Sequence, residues 1–210
     1  MNKLNFSYYL ITDRKACAPR SITEVVEEAC RYGIKALQLR EKDLSGRRLF
    51  ELTQQLRQVT ARYDALLFIN DRVDIALAAG ADGVHCRETS LSPKTIRELK
   101  DDLIIGASVH SVQRAREACR ASADFLMFGP VFHTPSKASY GQPQGINKLQ
   151  KVSENVSCPV FAVGGITPKR GTQCFKAGAA GVAGISSIMK SSSVKKKVGK
   201  WKQVLNMNKA

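Results

Sequence analysis

The sequence predicts an α/β protein, a single (β/α)8 (TIM) barrel, on three observations. Short apolar runs alternate with amphipathic helical stretches along most of the 210 residues. The runs are apolar at consecutive positions, as expected of strands covered on both faces. A small-residue turn followed by an apolar run recurs four times, at intervals of roughly 42 to 56 residues that each hold two strand–helix units. Four copies of two units make eight, the number that closes a barrel; an open doubly wound sheet shares only the local alternation.

Taken in order, strands are expected at Tyr8–Thr12, Ala36–Leu39, Ala65–Ile69, Gly83–His85, Leu103–Ser108, Phe125–Phe128, Val160–Val163 and Gly181–Ala183. Ile22–Arg31 and Ser45–Tyr63 carry the helical spacing of apolar residues. The repeated turns centre on Gly33, Gly80, Ser122 and Gly178, and each glycine is a helix stop before the next strand. No linker interrupts residues 1–188, which are read as the barrel body. Residues 189–210 are read as a basic C-terminal helix and tail closing the same domain. Lys190–Lys197 forms the polar hinge, Val194–Leu205 the helix, and the residues from Asn206 on a frayed end.

Composition sets the remaining bounds. Hydrophobic residues make up 43% and charged residues 24%, enough for a large core and incompatible with a disordered chain. No apolar run is long enough for a membrane helix, and the N-terminal residues lack the apolar core of a secretory signal. The net charge of +15 is concentrated late: after Glu154, the last acidic residue, only basic charges follow, from Lys169 to Lys209. That tail reads as a solvated helix face rather than a nucleic-acid arm. Six cysteines include no Cys-x-x-Cys pair; Cys30, Cys119 and Cys174 sit in helical stretches and read as small buried hydrophobes. A reducing cytoplasm is the expected location.

In such a barrel the site lies at the C-terminal ends of the strands. The second run ends in Gln38-Leu39-Arg40-Glu41-Lys42, and alternation aims Gln38 and Arg40 together into the mouth, with Lys42 following. Two cations and an amide suit a polyanion, with Arg40 as a bidentate phosphate clamp. An inward Arg40 paired with a barrel carboxylate is the alternative. Asn70-Asp71, after the third run, reads first as a helix N-cap and second as a hard-cation site on Asp71. After the fifth run Ser108 faces the mouth, while His110 reads as structural. The segment after Gly129-Pro130 is long for such a connection and carries Thr134, Ser136 and Lys137, which could close over a phosphate or form an ordinary surface loop. Gly164-Gly165 and Ile185-Ser186, at the ends of the last two runs, read as a backbone phosphate cradle. Two anion sites on one rim suit a reaction between two phosphorylated molecules.

These motifs, taken jointly and in order, resemble the thiamine phosphate synthase family together with its thiazole tautomerase paralogue. The resemblance runs from Tyr8-Tyr9-Leu10-Ile11-Thr12-Asp13 to Ile185-Ser186. It includes Gln38-Leu39-Arg40-Glu41-Lys42, Ile69-Asn70-Asp71-Arg72, Ala81-Asp82-Gly83-Val84-His85, Gly129-Pro130-Val131-Phe132 with Thr134-Pro135-Ser136-Lys137, and Val163-Gly164-Gly165-Ile166. It implies a transferase that joins hydroxymethylpyrimidine diphosphate to thiazole phosphate, through a pyrimidine cation, with release of pyrophosphate. It implies that Gln38, Arg40, Lys42, Asn70, Ser108 and Lys137 bind the diphosphate substrate, and that Asp71 holds Mg2+. Thr134, Ser136, Gly164 or Gly165, and Ile185-Ser186 would bind the thiazole phosphate. The implied partners are these small molecules, with no membrane, no nucleic acid and a homodimer as the assembly considered. One departure stands out: Ser90 occupies the position of the family's second magnesium-binding Asp. It leaves open substitution by Glu88, weakened metal binding, a tautomerase with His133 as proton shuttle, or a non-catalytic regulator.

Overall fold

A computed structural model describes residues 4–134 and 142–207. Its elements alternate throughout. The strands are β1 (Tyr8–Ile11), β2 (Ala36–Leu39), β3 (Leu66–Asn70), β4 (Gly83–Cys86), β5 (Ile104–Val109), β6 (Phe125–Phe128), β7 (Val160–Val163) and β8 (Gly181–Gly184). Between them run α1 (Ile22–Arg31), α2 (Gly46–Arg62), α3 (Val73–Ala78), α4 (Pro93–Leu99), α5 (Val112–Arg120), α6 (Ile146–Glu154) and α7 (Pro168–Lys176), followed by α8 (Ser186–Met189) and α9 (Val194–Met207). The strands are parallel and close in sequence order, β8 pairing back onto β1. The fold is a (β/α)8 TIM barrel. β3 and β5 each begin one residue later than the sequence pattern suggests.

Strand alternation sorts the side chains into two compartments. Leu37 and Leu39, Leu67 and Ile69, and Leu126 and Phe128 face the helices. Tyr9, Ala36, Phe68, Ile104, Phe125 and Phe161 face the axis and, with Phe6 beneath them, plug the barrel interior. Glycine makes room for those rings: a Cβ at Gly106 would lie 2.3 Å from Phe125, and one at Gly181 2.3 Å from Phe161. The axis is therefore packed aromatic core, and space opens only above it, at the strands' C-terminal ends.

The repeated turns are chemically alike for a backbone reason. Gly33, Gly80, Ser122 and Gly178 all have positive φ, at +106°, +63°, +69° and +84°. Each reverses the chain after a helix and delivers the next strand. Aspartates in two copies complete the splice: Asp82 Oδ2 accepts from the Leu67 amide at 2.7 Å, and Asp124 Oδ2 from that of Ile105 at 2.7 Å.

α9 packs Val194, Val198 and Trp201 into the outer core, with the Trp201 ring 4.8 Å from that of Tyr8. Its lysines at 195, 196, 197, 200 and 202 stay exposed. The helix runs through Asn206 to Met207, beyond the expected frayed end. One cysteine expectation is corrected. Cys30 and Cys174 are buried thiols, but Cys119 is only half-buried and forms a disulfide with Cys158, 39 residues away. The link ties α5 to the approach of β7, a pairing that local helical context does not reveal. Among the described residues no helix is long and apolar enough to cross a membrane.

Candidate active site

The layer above the aromatic plug is where chemistry can occur. One residue from each strand or its immediate end faces it: Ile11, Gln38, Asn70, His85, Ser108, Met127, Val163 and Ile185. They floor a cavity of about 520 Å³ whose walls include Arg40, Lys42, Arg87, Glu88, Gly129, Pro130, Gln144 and Gly164. A smaller recess of about 280 Å³ adjoins it, sharing Lys42, Asn70 and Arg87 and adding Asp71. Of the expected contacts, Gln38, Arg40, Lys42, Asn70, Ser108, Gly164 and Ile185 thus meet in one cavity, with Asp71 beside it. Gly165, Thr134 and Ser186 do not line it, and Ser136 and Lys137 lie outside the described residues.

The β2 loop is held so that its cations stay available. Glu41 turns inward, 6% exposed, and accepts from the Thr12 hydroxyl at 2.8 Å and from the backbone N–H and guanidinium of Arg14, each at 3.0 Å. Thr12 in turn accepts from the Arg40 amide at 2.9 Å. Among the described residues, neither Arg40 nor Lys42 has a carboxylate within ion-pair distance. The alternative of Arg40 paired with a barrel carboxylate is therefore not realised. Two cations without a carboxylate partner make this side of the cavity electropositive.

His85 sits on the floor, 2% exposed, against the rings of Tyr9 and Phe125. Its Nε2 is 3.0 Å from Ser108 Oγ, and its Nδ1 has no protein partner. Burial, reinforced by the Arg40 charge, pushes its pKa down to about 3, so the ring is neutral at physiological pH. The Gln38 Nε2 is likewise buried without a partner. A polar ligand in the mouth would satisfy that amide. His110, exposed at the rim, bonds through Nδ1 to the Gly129 carbonyl at 2.7 Å.

Across the mouth, the β7 loop approaches the β6 loop too closely for side chains. A Cβ at Gly164, φ +96°, would lie 2.5 Å from Pro130; one at Gly165, φ +62°, would lie 2.5 Å from the His133 carbonyl. His133 is exposed and off the cavity, which removes it as a proton shuttle there.

The Asn70-Asp71 pair does not cap α3. Arg72 holds the N-cap position, without a side-chain cap bond, because Asp71 turns the chain through φ +67° first. The Asp71 carboxylate instead reaches across to the β4 loop. Its Oδ2 accepts from the Arg87 guanidinium and its Oδ1 from the Ser90 hydroxyl. Burial raises its pKa, but the bonds from Ser90 and Arg87 and the charges of Arg87 and Lys42 outweigh that, so Asp71 sits below the usual carboxylate range.

A family model described as thiamine monophosphate synthase matches residues 8–188. The chain belongs to the thiamine monophosphate synthase family. It is 50% identical over 190 residues to a putative thiamine-phosphate synthase of Geobacter sulfurreducens, covering 90% of this chain and 89% of that one. It is 38% identical to the thiamine-phosphate synthase of Clostridium novyi, covering 91% and 94%. Among solved structures it is similar to a thiamine phosphate pyrophosphorylase from Pyrococcus furiosus, with a TM-score of 0.88, 37% identity and 97% of each chain covered. Membership makes this protein an enzyme, a transferase with thiamine-phosphate synthase activity.

Family membership carries an expectation of Mg2+, which Asp71 as placed here does not meet. Mg2+ takes six oxygen ligands, usually one or two carboxylates with waters and substrate phosphates making up the rest. Of the two carboxylates lining the recess, Glu41 is taken up by Thr12 and Arg14, and both oxygens of Asp71 already accept from Arg87 and Ser90; Glu88 lines the main cavity instead. Among the described residues no group of three His, Cys, Asp or Glu side chains is placed to hold a metal. The lining residues that motif reading passed over include His85 and Arg87, besides Ile11, Met127, Gln144 and Val163; the parity of β4, with Val84 and Cys86 facing the helices, is the signal that puts His85 in the mouth.

Proposed function

We propose that this synthase binds the diphosphate of hydroxymethylpyrimidine diphosphate at Arg40, Lys42 and Asn70, and seats its pyrimidine on the cavity floor. Ile11, Met127 and Val163 give the ring apolar contact. Gln38 and Ser108 offer hydrogen bonds to its polar edge. The thiazole phosphate enters from the side of Gly164 and Ile185, where the missing side chain of Gly164 lets a phosphate approach the backbone; the family resemblance would add Thr134, Ser136 and Lys137 as further contacts.

The chemistry then needs no protein nucleophile. The bond between the pyrimidine methylene and the diphosphate oxygen breaks, and its electron pair leaves with pyrophosphate. The thiazole nitrogen lone pair captures the resulting cation and forms the new C–N bond. The chain's contribution is to hold the two reactants in line and to stabilise the charge that develops on the leaving group. A neutral His85 suits this, since a cation beneath the pyrimidine would oppose its ionisation.

The observation that carries the reading is the pair of unneutralised cations, Arg40 and Lys42, on one side of a cavity of about 520 Å³ whose other side carries Gly164 and Ile185. The experiment is pyrophosphate release by the purified protein with both substrates and magnesium present. Release that requires both substrates and falls about 100-fold in Arg40→Ala supports the reading. A wild-type trace equal to that of Arg40→Ala ends it.

A further inference from the structure

The β4 loop supplies a charge that the reading above leaves unused. Arg87 follows directly on β4, and its side chain lines both the main cavity and the adjoining recess. Its guanidinium is anchored on Asp71, which is itself fixed by the Ser90 hydroxyl and by a hydrogen bond from its own backbone N–H to the His85 carbonyl at 3.0 Å. Ser90 also accepts from the Arg87 amide at 2.8 Å, so the loop is braced at both ends. Asp71 is the Arg87 side chain's one partner among the described residues. A guanidinium has five donors in a rigid fork, which leaves most of them for a ligand in the space shared with Lys42 and Asn70.

The position is the one where a divalent ion would otherwise be sought, and the electrostatics are equivalent. One guanidinium on one carboxylate is locally neutral, as a divalent ion on two carboxylates would be. We infer that Arg87 is a catalytic residue of this enzyme: a built-in cation that binds the diphosphate beside Asp71 and stabilises the departing pyrophosphate in place of a protein-bound metal. As the C–O bond breaks, negative charge grows on the diphosphate oxygen and the Arg87 N–H groups donate to it. No proton is lost, and the electron pair leaves with pyrophosphate as before. This inference rests on the diphosphate being bound at Arg40 and Lys42.

The test is calorimetric binding of inorganic pyrophosphate to the intact protein, in EDTA and in excess magnesium, with turnover measured in parallel. The expected result is binding in EDTA that magnesium improves less than about threefold, and that Arg87→Ala weakens about 10- to 100-fold, the range of a charge-assisted contact. Arg87→Gln, which keeps the stem and a donor, should lie between, and circular dichroism identifies any variant that fails to fold. The double variant Arg87→Ala/Ser90→Asp should bind pyrophosphate only with magnesium. The inference is overturned if wild-type binding requires magnesium, or if folded Arg87→Ala and Arg87→Gln bind pyrophosphate as wild type does. A protein that binds pyrophosphate through Arg87 yet forms no product would refute the synthase reading while leaving the Arg87 anion site standing. One that turns over but ignores Arg87 would refute this inference alone.

Discussion

Thr12 and Glu41 are joined by a 2.8 Å hydrogen bond, hydroxyl to Oε1, between two buried side chains at the C-terminal ends of β1 and β2. The same hydroxyl accepts from the Arg40 amide, so Thr12 carries a chain of bonds from the backbone of Arg40 to the carboxylate of its neighbour. With Glu41 drawn inward, Arg40 and Lys42 are turned to the mouth. Thr12→Val keeps the shape and removes the hydroxyl, leaving the Arg40 N–H unsatisfied. The variant should lose about 1–3 kcal/mol of stability in urea denaturation. The KM for the pyrimidine diphosphate should rise more than kcat falls, because what loosens is the placement of the clamp.

Ser122 is the one non-glycine among the four repeated turns, at φ +69°. Its backbone carbonyl accepts from Arg97 at 3.0 Å, a bond that does not depend on its side chain. Ser122→Gly should therefore relieve left-handed strain without losing a contact, offset in part by the flexibility glycine adds to the unfolded chain. A gain of about 0.5–1 kcal/mol is expected, or a few degrees in Tm. A lower Tm would show that the hydroxyl has an unrecognised role.

Gly164→Ala tests the thiazole side of the mouth. The new methyl would lie 2.5 Å from Pro130 at a φ of +96°, so the β6 and β7 loops must part. Gly164 lines the cavity, and the displacement falls at the proposed thiazole phosphate contact. The KM for that substrate should rise about tenfold or more, with pyrophosphate binding unchanged. Equal loss of both would mean that the barrel mouth as a whole has deformed.

The barrel was legible because its determinants are local. Gly33, Gly80 and Gly178 stop helices by backbone conformation alone, and the strand parity that aims Gln38 and Arg40 into the mouth is the parity of the folded β2. What the sequence concealed depends on partners distant along the chain. Asn70-Asp71 has the composition of an N-cap, and nothing within ten residues shows that Arg87 and Ser90 claim its carboxylate. Cys119 has the neighbours of a core residue, and only the fold brings Cys158 to it. Arg87 follows an apolar strand like any loop cation; its significance appears only once β3 and β4 are side by side.

His85 makes the floor of the site sensitive to acid. Its pKa is near 3 in the folded protein, against an ordinary value near 6.5, because burial penalises the charged ring and Arg40 opposes it further. The unfolded chain therefore binds the extra proton throughout the window between those values. The stability that a neutral His85 contributes is complete above about pH 6.5 and is lost as the pH falls towards 3, by up to about 1.4 kcal/mol per pH unit. In His85→Gln the corresponding slope should vanish, so urea-denaturation curves of the two proteins should converge as the pH drops from 7 to 4. Parallel pH dependences would mean that the folded protein takes up the proton as readily as the unfolded chain, and that the ring is charged beneath the pyrimidine. Turnover should show no break attributable to His85 between pH 5 and 8, since its protonation state does not change there.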